Sequence, residues 1–209
     1  MPEHSREDAY RLSTPDEHRD FYDAWSATYD TDFIQALGYQ VPAVVARAFL
    51  AHAGAGEAPI ADIGCGTGQL GRALGRDDVD GFDLSPGMLA AAAASGAYRH
   101  LHQVDLTAAV VTMDGRYAGL VSSGTFTHGH LGPTELAGIL RLGRPGALCA
   151  IGINAEYYST GRFEDFFTAQ RSSQRLTMLS DVEVHSYTDG QVPDEPVNRT
   201  RVVVFRLAG

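Results

Sequence analysis

The stretch IADIGCGTG, residues 60–68, decides the fold that the sequence predicts. A short apolar run closes on three alternating glycines, and a helical segment follows. Glycine lets the backbone turn sharply and leaves bare main chain against which a ligand can lie. At the carboxyl end of a parallel strand, such a loop lies in the usual ligand crevice of an open α/β sheet. The stretch therefore predicts a strand, a ligand-binding loop and a helix whose first N–H groups can bind an anionic group.

Short apolar runs alternate with helical patterns along the rest of the chain. Further strands are predicted at 79–83, 101–105, 117–121 and 147–153, with helices near 86–96, 134–142 and 161–171. This alternation predicts an α/β protein of three layers, with a doubly wound, mostly parallel sheet of seven strands. The last two strands, at 182–187 and 202–207, leave no room for a helix between them, so we expect an antiparallel edge there.

The N-terminal segment is predicted to form a helical cap on a single domain. Residues 1–18 are polar and are expected to be a flexible arm, whereas 19–209 form the domain and about 19–52 form its cap. Tyr22, Trp25, Tyr29 and Phe33 follow one another at steps of three and four residues, which places them on one helical face. Ordinary helix packing and a lid over a binding site both fit such a face.

Composition excludes several classes of function. The chain of 209 residues has a net charge of −10, and all 16 of its basic residues are arginines. An acidic chain without a basic cluster is expected to bind nucleic acids and anionic membranes poorly. The absence of lysine rules out Schiff-base chemistry and a P-loop. With no apolar leader and two widely spaced cysteines, which we expect to be reduced and buried, the chain is expected to be cytoplasmic.

Two acidic residues end the strands that follow the glycine loop. Asp83, 19 residues after Gly64, is placed to accept hydrogen bonds from the ribose hydroxyls of a nucleoside, and Asp105 to accept from an adenine amino group. A literal GxGxxG at 66–71 also permits a nicotinamide cofactor, and a purely structural loop is a third possibility. Asp62 disfavours the nicotinamide alternative, because it would repel a pyrophosphate but would tolerate a sulfonium cofactor that carries an ammonium group.

Four segments together resemble a known family. Residues 60–71 resemble motif I of class I S-adenosylmethionine-dependent methyltransferases, 79–89 their second motif, 103–106 their third, and 140–150 the turn before strand five. The resemblance covers about residues 19–155 and implies a Rossmann-like fold. The segment SGTFTHGH, at 123–130, with YDAW at 22–25 and YD at 29–30, is similar to the Williams–Beuren syndrome region methyltransferase-like group. Ala147 departs from many relatives, which have a second glycine after Pro-Gly, but this affects only a turn.

The resemblance also implies a set of site residues. The loop glycines would approach the methionine part of the cofactor, and Asp62 would either interact with its amino group or fix the loop. Asp83 would bind the ribose, and Asp105 would face the adenine. The full set implied to bind the cofactor is Tyr22, Trp25, Tyr29, Asp62, Gly64, Gly66, Gly68, Asp83, Leu84, Met88, Asp105, Leu106 and Ser123.

Two histidines follow the fourth predicted strand, near the expected position of the transferred methyl group. His128 and His130 are candidate catalytic residues, since an imidazole with a pKa near 6.5 can act as a base or contact a substrate. Hydrogen bonding to the loop backbone is the alternative. A metal pair is not expected, because no third ligand is evident.

The sequence therefore predicts an S-adenosylmethionine-dependent methyltransferase that acts by in-line transfer on a small-molecule acceptor, with S-adenosylhomocysteine as product. Too few residues follow the motifs to form a domain that reads protein or nucleic acid. No nucleic-acid or membrane partner is expected, and the protein is expected to be a monomer or a homodimer. Two alternatives remain, namely a protein that only binds S-adenosylmethionine and a non-methylating lyase or cyclase on the same scaffold.

Overall fold

A seven-stranded sheet forms the centre of the computed structural model, which describes residues 4–54, 56–108, 115–188 and 192–209. Each strand that the sequence predicts is present, and the last four are longer than expected. The strands are β1 (Ile60–Ile63), β2 (Val79–Asp83), β3 (His100–Gln103), β4 (Tyr117–Phe126), β5 (Gly143–Asn154), β6 (Leu176–His185) and β7 (Arg199–Leu207).

The strand order is β3-β2-β1-β4-β5-β7-β6, and the first five strands pair in parallel. Strand β7 runs antiparallel to both of its neighbours, β5 and β6. The predicted mixed sheet is therefore confirmed, with the antiparallel strand one position inside the edge that β6 forms. In the parallel part of the sheet, β1 lies between β2 and β4. The glycine loop that follows β1 therefore lies in the middle of the row of carboxyl strand ends.

Helices cover both faces of the sheet. The helices are α1 (Arg6–Ala9), α2 (Pro15–Trp25), α3 (Val41–His52), α4 (Gln69–Leu74), α5 (Pro86–Ser95), α6 (Pro133–Ile139), α7 (Ala155–Thr160) and α8 (Phe163–Ser172). The hydrophobic core between the sheet, α3 and α4 contains Phe49 and Leu70, and the core on the opposite face contains Leu136 of α6 and Phe167 of α8. Within the described residues, none combines the length and the apolarity that a bilayer crossing requires.

The helix after β2 begins and ends where its sequence predicts. The Ser85 side chain accepts from the Met88 N–H, and Pro86 occupies the first turn, where its missing N–H leaves no bond unmade. Gly96 ends the helix in the left-handed region, with a φ of 67°. These local signals fix the position of α5 relative to the end of β2.

The aromatic segment of the predicted cap is not one continuous helix. Helix α2 ends at Trp25, and a π-helical turn at Asp30–Gln35 follows. Residues 4–18, expected to be an arm, contain α1 and the capped start of α2. Arg6 donates to the Tyr187 hydroxyl and to Asn198 Oδ1, so this segment contacts the body of the protein near β6 and β7. The short helix α7 was not predicted.

The Tyr98 ring packs beneath the loop, in the space that three glycines leave because they have no side chain. A Cβ atom on Gly71 would lie 2.5 Å from Tyr98 Cζ, and Cβ atoms on Gly68 and Gly81 would each approach the same ring to 3.1 Å. The Tyr98 hydroxyl donates to Asp62 Oδ2 at 2.6 Å. The last glycine of the GxGxxG pattern is thus explained by the packing of a tyrosine.

We expect Tyr98→Phe to lower the free energy of unfolding by about 1–3 kcal/mol, because it leaves the buried Asp62 carboxyl without its hydroxyl donor. Urea denaturation checks this value. Tyr158→Phe is the matched control, since the Tyr158 ring packs under the Arg201 guanidinium and keeps that contact without its hydroxyl. Equal stability of Tyr98→Phe and the wild type would contradict a structural role for the bond.

Candidate functional site

A cavity of about 240 Å³ lies at the carboxyl ends of the parallel strands, beneath α2. Its wall combines the glycine loop, the segments that follow β2 and β3, the end of β4 and the N-terminal segment. Most of the residues that the sequence predicts for the site line this one cavity: Tyr22, Tyr29, Gly64, Gly66, Asp83, Leu84, Met88, Asp105, Leu106, Ser123 and His130. The predicted residues Trp25, Asp62, Gly68 and His128 are not among those that line it.

The loop glycines are required by the backbone and by its surroundings. Gly64 and Gly66 have φ angles of 67° and 52°, in the left-handed region that side chains other than glycine rarely adopt. A Cβ on Gly64 would collide with the Thr125 side chain, whereas the space beside Gly66 is open. The loop therefore presents bare main chain on one side and is packed tightly on the other.

Asp83 links the loop to the end of β2. Its carboxylate accepts from the Gly66 N–H at 2.8 Å and from the Ser85 N–H at 3.0 Å. Burial raises the pKa of Asp83, and the backbone N–H groups that it accepts from oppose that shift. A carboxylate has about four acceptor sites, so two remain for the hydroxyls of a ligand.

Asp105 forms a local turn on the same wall. Its Oδ1 accepts from the backbone N–H of Thr107 at 2.8 Å and from the Thr107 hydroxyl at 2.6 Å. The adjacent Leu106 is buried and lines the cavity, as does Met88 from α5. A polar acceptor thus lies beside apolar side chains, a combination that suits a flat heterocycle with an amino group.

Asp62 lies under the loop. It is fully buried, its Oδ2 accepts from the Tyr98 hydroxyl, and its Oδ1 has no hydrogen-bond partner in the described ranges. Burial raises the pKa of this carboxyl to about 7. Of the two roles that the resemblance implies for Asp62, these contacts support the one of fixing the loop.

Two acids of the cap hold it against the loop and α5. Asp23 accepts from the Gly87 N–H at 2.8 Å and from the Ser85 hydroxyl, and Asp30 accepts from the Thr67 hydroxyl at 2.6 Å. Neither was predicted as a functional residue, although both stand in the segments YDAW and YD that carry the resemblance. The described wall also includes Ser13, Thr14 and His18, which the sequence places in the expected arm.

The aromatic residues of the cap do not all reach the cavity. Tyr22 and Tyr29 line the cavity, whereas Trp25 lies behind them in a cluster with Phe33 and Tyr187. The Trp25 ring packs edge-on against Tyr29, with centroids 4.9 Å apart. Trp25 therefore supports the two tyrosines from outside the cavity.

His130 and Tyr22 form a hydrogen-bonded pair on the cavity wall. His130 Nδ1 lies 2.9 Å from the His128 carbonyl oxygen, which can only accept, so Nδ1 carries the proton. Nε2 then accepts from the Tyr22 hydroxyl at 2.8 Å. Burial lowers the pKa of His130 to about 4, and the pKa of Tyr22 is raised by burial. At neutral pH the pair is uncharged.

His128 is turned toward α7. Its Nε2 lies 3.1 Å from Glu156 Oε2, without the geometry of a hydrogen bond, and its ring lies 5.0 Å from that of Tyr157. The structure therefore separates the two candidate histidines. Among the described residues, no group of three histidine, cysteine or acidic side chains could hold a metal ion.

Comparison with known proteins finds a family that matches part of this chain. The model of the family described as "Methyltransferase domain" matches residues 60–146, the segment with the glycine loop, Asp83 and Asp105. Over these residues the chain matches a methyltransferase domain of the class I S-adenosylmethionine-dependent type. The predicted fold is confirmed and the match supports the predicted enzyme class and cofactor, whereas the roles of individual residues remain predictions.

Individual relatives agree with this assignment. Human methyltransferase-like protein 27 is 32% identical over 138 residues, which cover 63% of this chain and 55% of that protein. This chain therefore spans about half the length of that relative. A TehB-like S-adenosylmethionine-dependent methyltransferase from Corynebacterium glutamicum is 26% identical, with a TM-score of 0.59 over 88% of this chain and 98% of that one. Magnesium protoporphyrin IX methyltransferase from Synechocystis has the same fold at 15% identity, with a TM-score of 0.68 over 94% and 98% of the two chains.

We expect acid to destabilise the wild type more than a His130→Gln variant. In the unfolded chain the imidazole has a pKa near 6.5, whereas burial lowers it to about 4 in the fold. Between these values the unfolded state binds the extra proton, so stability falls as the pH falls through that window. The lowered pKa makes this loss about 2 kcal/mol between pH 7 and pH 5.

Urea denaturation at pH 7 and pH 5 gives the loss in the free energy of unfolding for each protein. The difference in that loss between the wild type and the variant is the contribution of His130, because the other titrating groups contribute equally to both. His100→Gln, at an exposed histidine, is the control and keeps the wild-type pH dependence. An identical loss of stability in His130→Gln and the wild type would show that His130 is not kept neutral by burial.

Proposed function

We propose that this protein transfers the methyl group of S-adenosylmethionine to a small-molecule acceptor. One observation carries the proposal. A single cavity brings together the bare glycine loop, Asp83 at the end of β2 and Asp105 two residues after β3, under an aromatic cap. These are the groups that a nucleoside with an attached amino acid requires, namely acceptors for ribose and adenine and open main chain for the chain that links them.

The residues present fit this cofactor. Asp83 would accept hydrogen bonds from the ribose hydroxyls, since its carboxylate keeps acceptor sites beyond its two backbone donors. Asp105 and Leu106 would face the adenine, with Leu84 and Met88 packed around it. Gly64, Gly66 and Ser123 would lie along the methionine part, where the open space beside Gly66 leaves room.

The predicted residues outside the cavity would act indirectly. Asp62 would fix the loop through Tyr98, and Gly68 would begin α4 with a φ of 90° that only glycine adopts readily. Trp25 would position Tyr29, whose ring it contacts. Each of these residues supports the geometry of the loop or of the cap.

Bound S-adenosylmethionine supplies a methyl group on a sulfonium, which an acceptor lone pair attacks in line while the carbon–sulfur bond breaks and its electron pair stays on sulfur. The protein then has to align the acceptor and exclude water. Orientation of this kind contributes about 7–11 kcal/mol to lowering a barrier. Tyr22 and Tyr29 would close the cavity, and their ring faces favour a nearby positive charge.

His130 would face the acceptor together with Tyr22. With a pKa of about 4 its imidazole is unprotonated at neutral pH but is a weak base. This favours a role in holding the acceptor through the Tyr22 hydroxyl over removal of a proton from an alcohol. His128, outside the cavity and beside Glu156, would stabilise the loop before α6.

The similarity to human methyltransferase-like protein 27 supports a relationship to the Williams–Beuren syndrome region group. One structural neighbour is named for a small acceptor, namely magnesium protoporphyrin IX methyltransferase. The second candidate function, a reaction without methyl transfer, is favoured by the [4+2]-cyclase SpnF, which has this fold with a TM-score of 0.63. A monomer or homodimer is proposed for the assembly.

Asp83→Ala is expected to weaken S-adenosylhomocysteine binding by at least tenfold in calorimetry, since hydrogen bonds to a charged group each contribute about 1.5–3 kcal/mol. Asp77→Ala, at an exposed acid, is the matched control and should bind like the wild type. Wild-type affinity in Asp83→Ala would show that the ribose lies elsewhere.

The same pair of variants tests the reaction. The wild type and Asp77→Ala should accumulate S-adenosylhomocysteine when they are incubated with S-adenosylmethionine and a pool of small metabolites, and Asp83→Ala should not. Conversion of a metabolite without that product would favour the lyase or cyclase alternative. Tight binding without either change would favour a cofactor-binding protein.

A further inference from the structure

A second, smaller cavity of about 60 Å³ adjoins the cavity of about 240 Å³ that is proposed to bind the cofactor, which is called the cofactor cavity below. Four residues line both cavities, namely Tyr22, Tyr29, Tyr39 and Gly124. The second cavity extends from these shared residues toward Arg6 and the ends of β5 and β7. A molecule bound there would therefore reach the cofactor cavity beside Tyr22.

The wall of this second cavity is largely aromatic, and its one charged side chain is positive. Eight of the seventeen described residues that line it have aromatic rings, and Arg6 is the one that carries a charge. Among these residues there is no aspartate or glutamate, although the chain as a whole has a net charge of −10. Aromatic walls suit a planar ligand, and the wall offers a guanidinium but no carboxylate to a charged group of that ligand.

Two polar atoms on this wall lack a hydrogen bond of regular geometry. Trp25 Nε1 is buried without a partner in the described ranges, and Thr127 Oγ1 is buried with only the Tyr10 hydroxyl near it. The indole N–H can only donate, and leaving a buried donor unpaired costs about 1–3 kcal/mol. An oxygen atom of a bound molecule in the cavity would satisfy it.

Arg6 is held in place by groups outside the cavity as well as on its wall. Its Nη1 donates to the Tyr187 hydroxyl at 2.8 Å and to Asn198 Oδ1, while Nε and Nη2 donate to the exposed Glu7. A guanidinium has five N–H groups, so one N–H remains without a partner in the described part of the chain. The side chain is 18% exposed, which keeps the charge near the wall and reduces its screening by water.

We propose that the second cavity, the aromatic subsite, binds the carboxylate end of a planar aromatic acid, whose other end enters the cofactor cavity as the methyl acceptor. The inference rests on the proposed function and specifies its substrate class. Arg6 would pair with the carboxylate, and Trp25 and Thr127 would donate to its oxygens. A volume of about 60 Å³ holds roughly four water-sized groups, enough for a carboxylate and the first ring atoms.

The single tryptophan of the chain provides a direct probe, because Trp25 lines the aromatic subsite. Protein saturated with S-adenosylhomocysteine is titrated with 4-hydroxybenzoate, with its neutral analogue 4-hydroxybenzamide and with the cation tyramine, while tryptophan emission is recorded. We expect 4-hydroxybenzoate to change the emission and to bind at least tenfold more tightly than the other two compounds.

Two variants test the assigned contacts. Arg6→Gln should weaken 4-hydroxybenzoate binding by at least tenfold and remove the preference for the acid over the amide. Arg11→Gln is the matched control, since its guanidinium is exposed and outside both cavities. If Arg6→Gln fails to fold, as circular dichroism would report, Thr127→Val takes its place with an expected loss of at least threefold.

The result that overturns the proposal is an absent emission response at millimolar 4-hydroxybenzoate, equal binding of the amide or the amine, or unchanged affinity in these variants. A separate calorimetric titration with S-adenosylhomocysteine distinguishes the two levels of inference. Retained cofactor binding with no response to the acid rejects the aromatic subsite alone, whereas loss of cofactor binding in the wild type rejects the proposed function.

Discussion

The hydrogen bond between the Tyr98 hydroxyl and the buried Asp62 carboxylate is the interaction on which the site depends. It joins the segment before β3 to the end of β1, directly beneath the loop at 64–68. Tyr98 can reach Asp62 only because glycines at 68, 71 and 81 leave space for its ring. On the other side of the loop, Asp83 accepts from the Gly66 N–H. The loop is thus fixed from below and from the neighbouring strand.

A second constraint fixes the cap relative to this loop. Asp23 accepts at the N-terminus of α5, where the unpaired N–H groups of a helix favour a negative charge, and Asp30 accepts from Thr67 in the loop itself. Tyr22 and Tyr29 are carried by the same segment. Closure over the cavity and the geometry of the loop are therefore coupled, because both depend on the contacts of two carboxylates.

Much of the fold could be predicted because its signals are local. The glycine stretch, the Ser85–Pro86 start of α5 and the alternation of strands with helices each depend on neighbouring residues, and the acids at strand ends follow from the topology of a parallel sheet. The partners of these acids could not be predicted in the same way. Tyr98 stands 36 residues from Asp62, and no periodicity connects them.

The separation of Trp25 from Tyr22 and Tyr29 has a similar cause. Tyr22 and Trp25 lie on the same helix, α2, whereas Tyr29 lies beyond its end and Phe33 lies in a π-helical turn, so the helical period alone does not decide which rings reach the cavity. The two histidines likewise stand two residues apart, yet their loop turns one into the cavity and the other toward Glu156. In both cases the tertiary path of a short segment decides which side chain reaches the site.

A crystal structure of the complex with S-adenosylhomocysteine measures the central claim most directly, namely that the fixed loop and the strand-end acids hold a nucleoside cofactor. The account predicts ribose hydroxyls within hydrogen-bonding distance of Asp83, adenine against Leu106 and Met88, and the amino-acid part along Gly64 and Gly66, with the Tyr98–Asp62 bond unchanged. A nucleoside bound outside this cavity, or a ribose that turns away from Asp83, would contradict it.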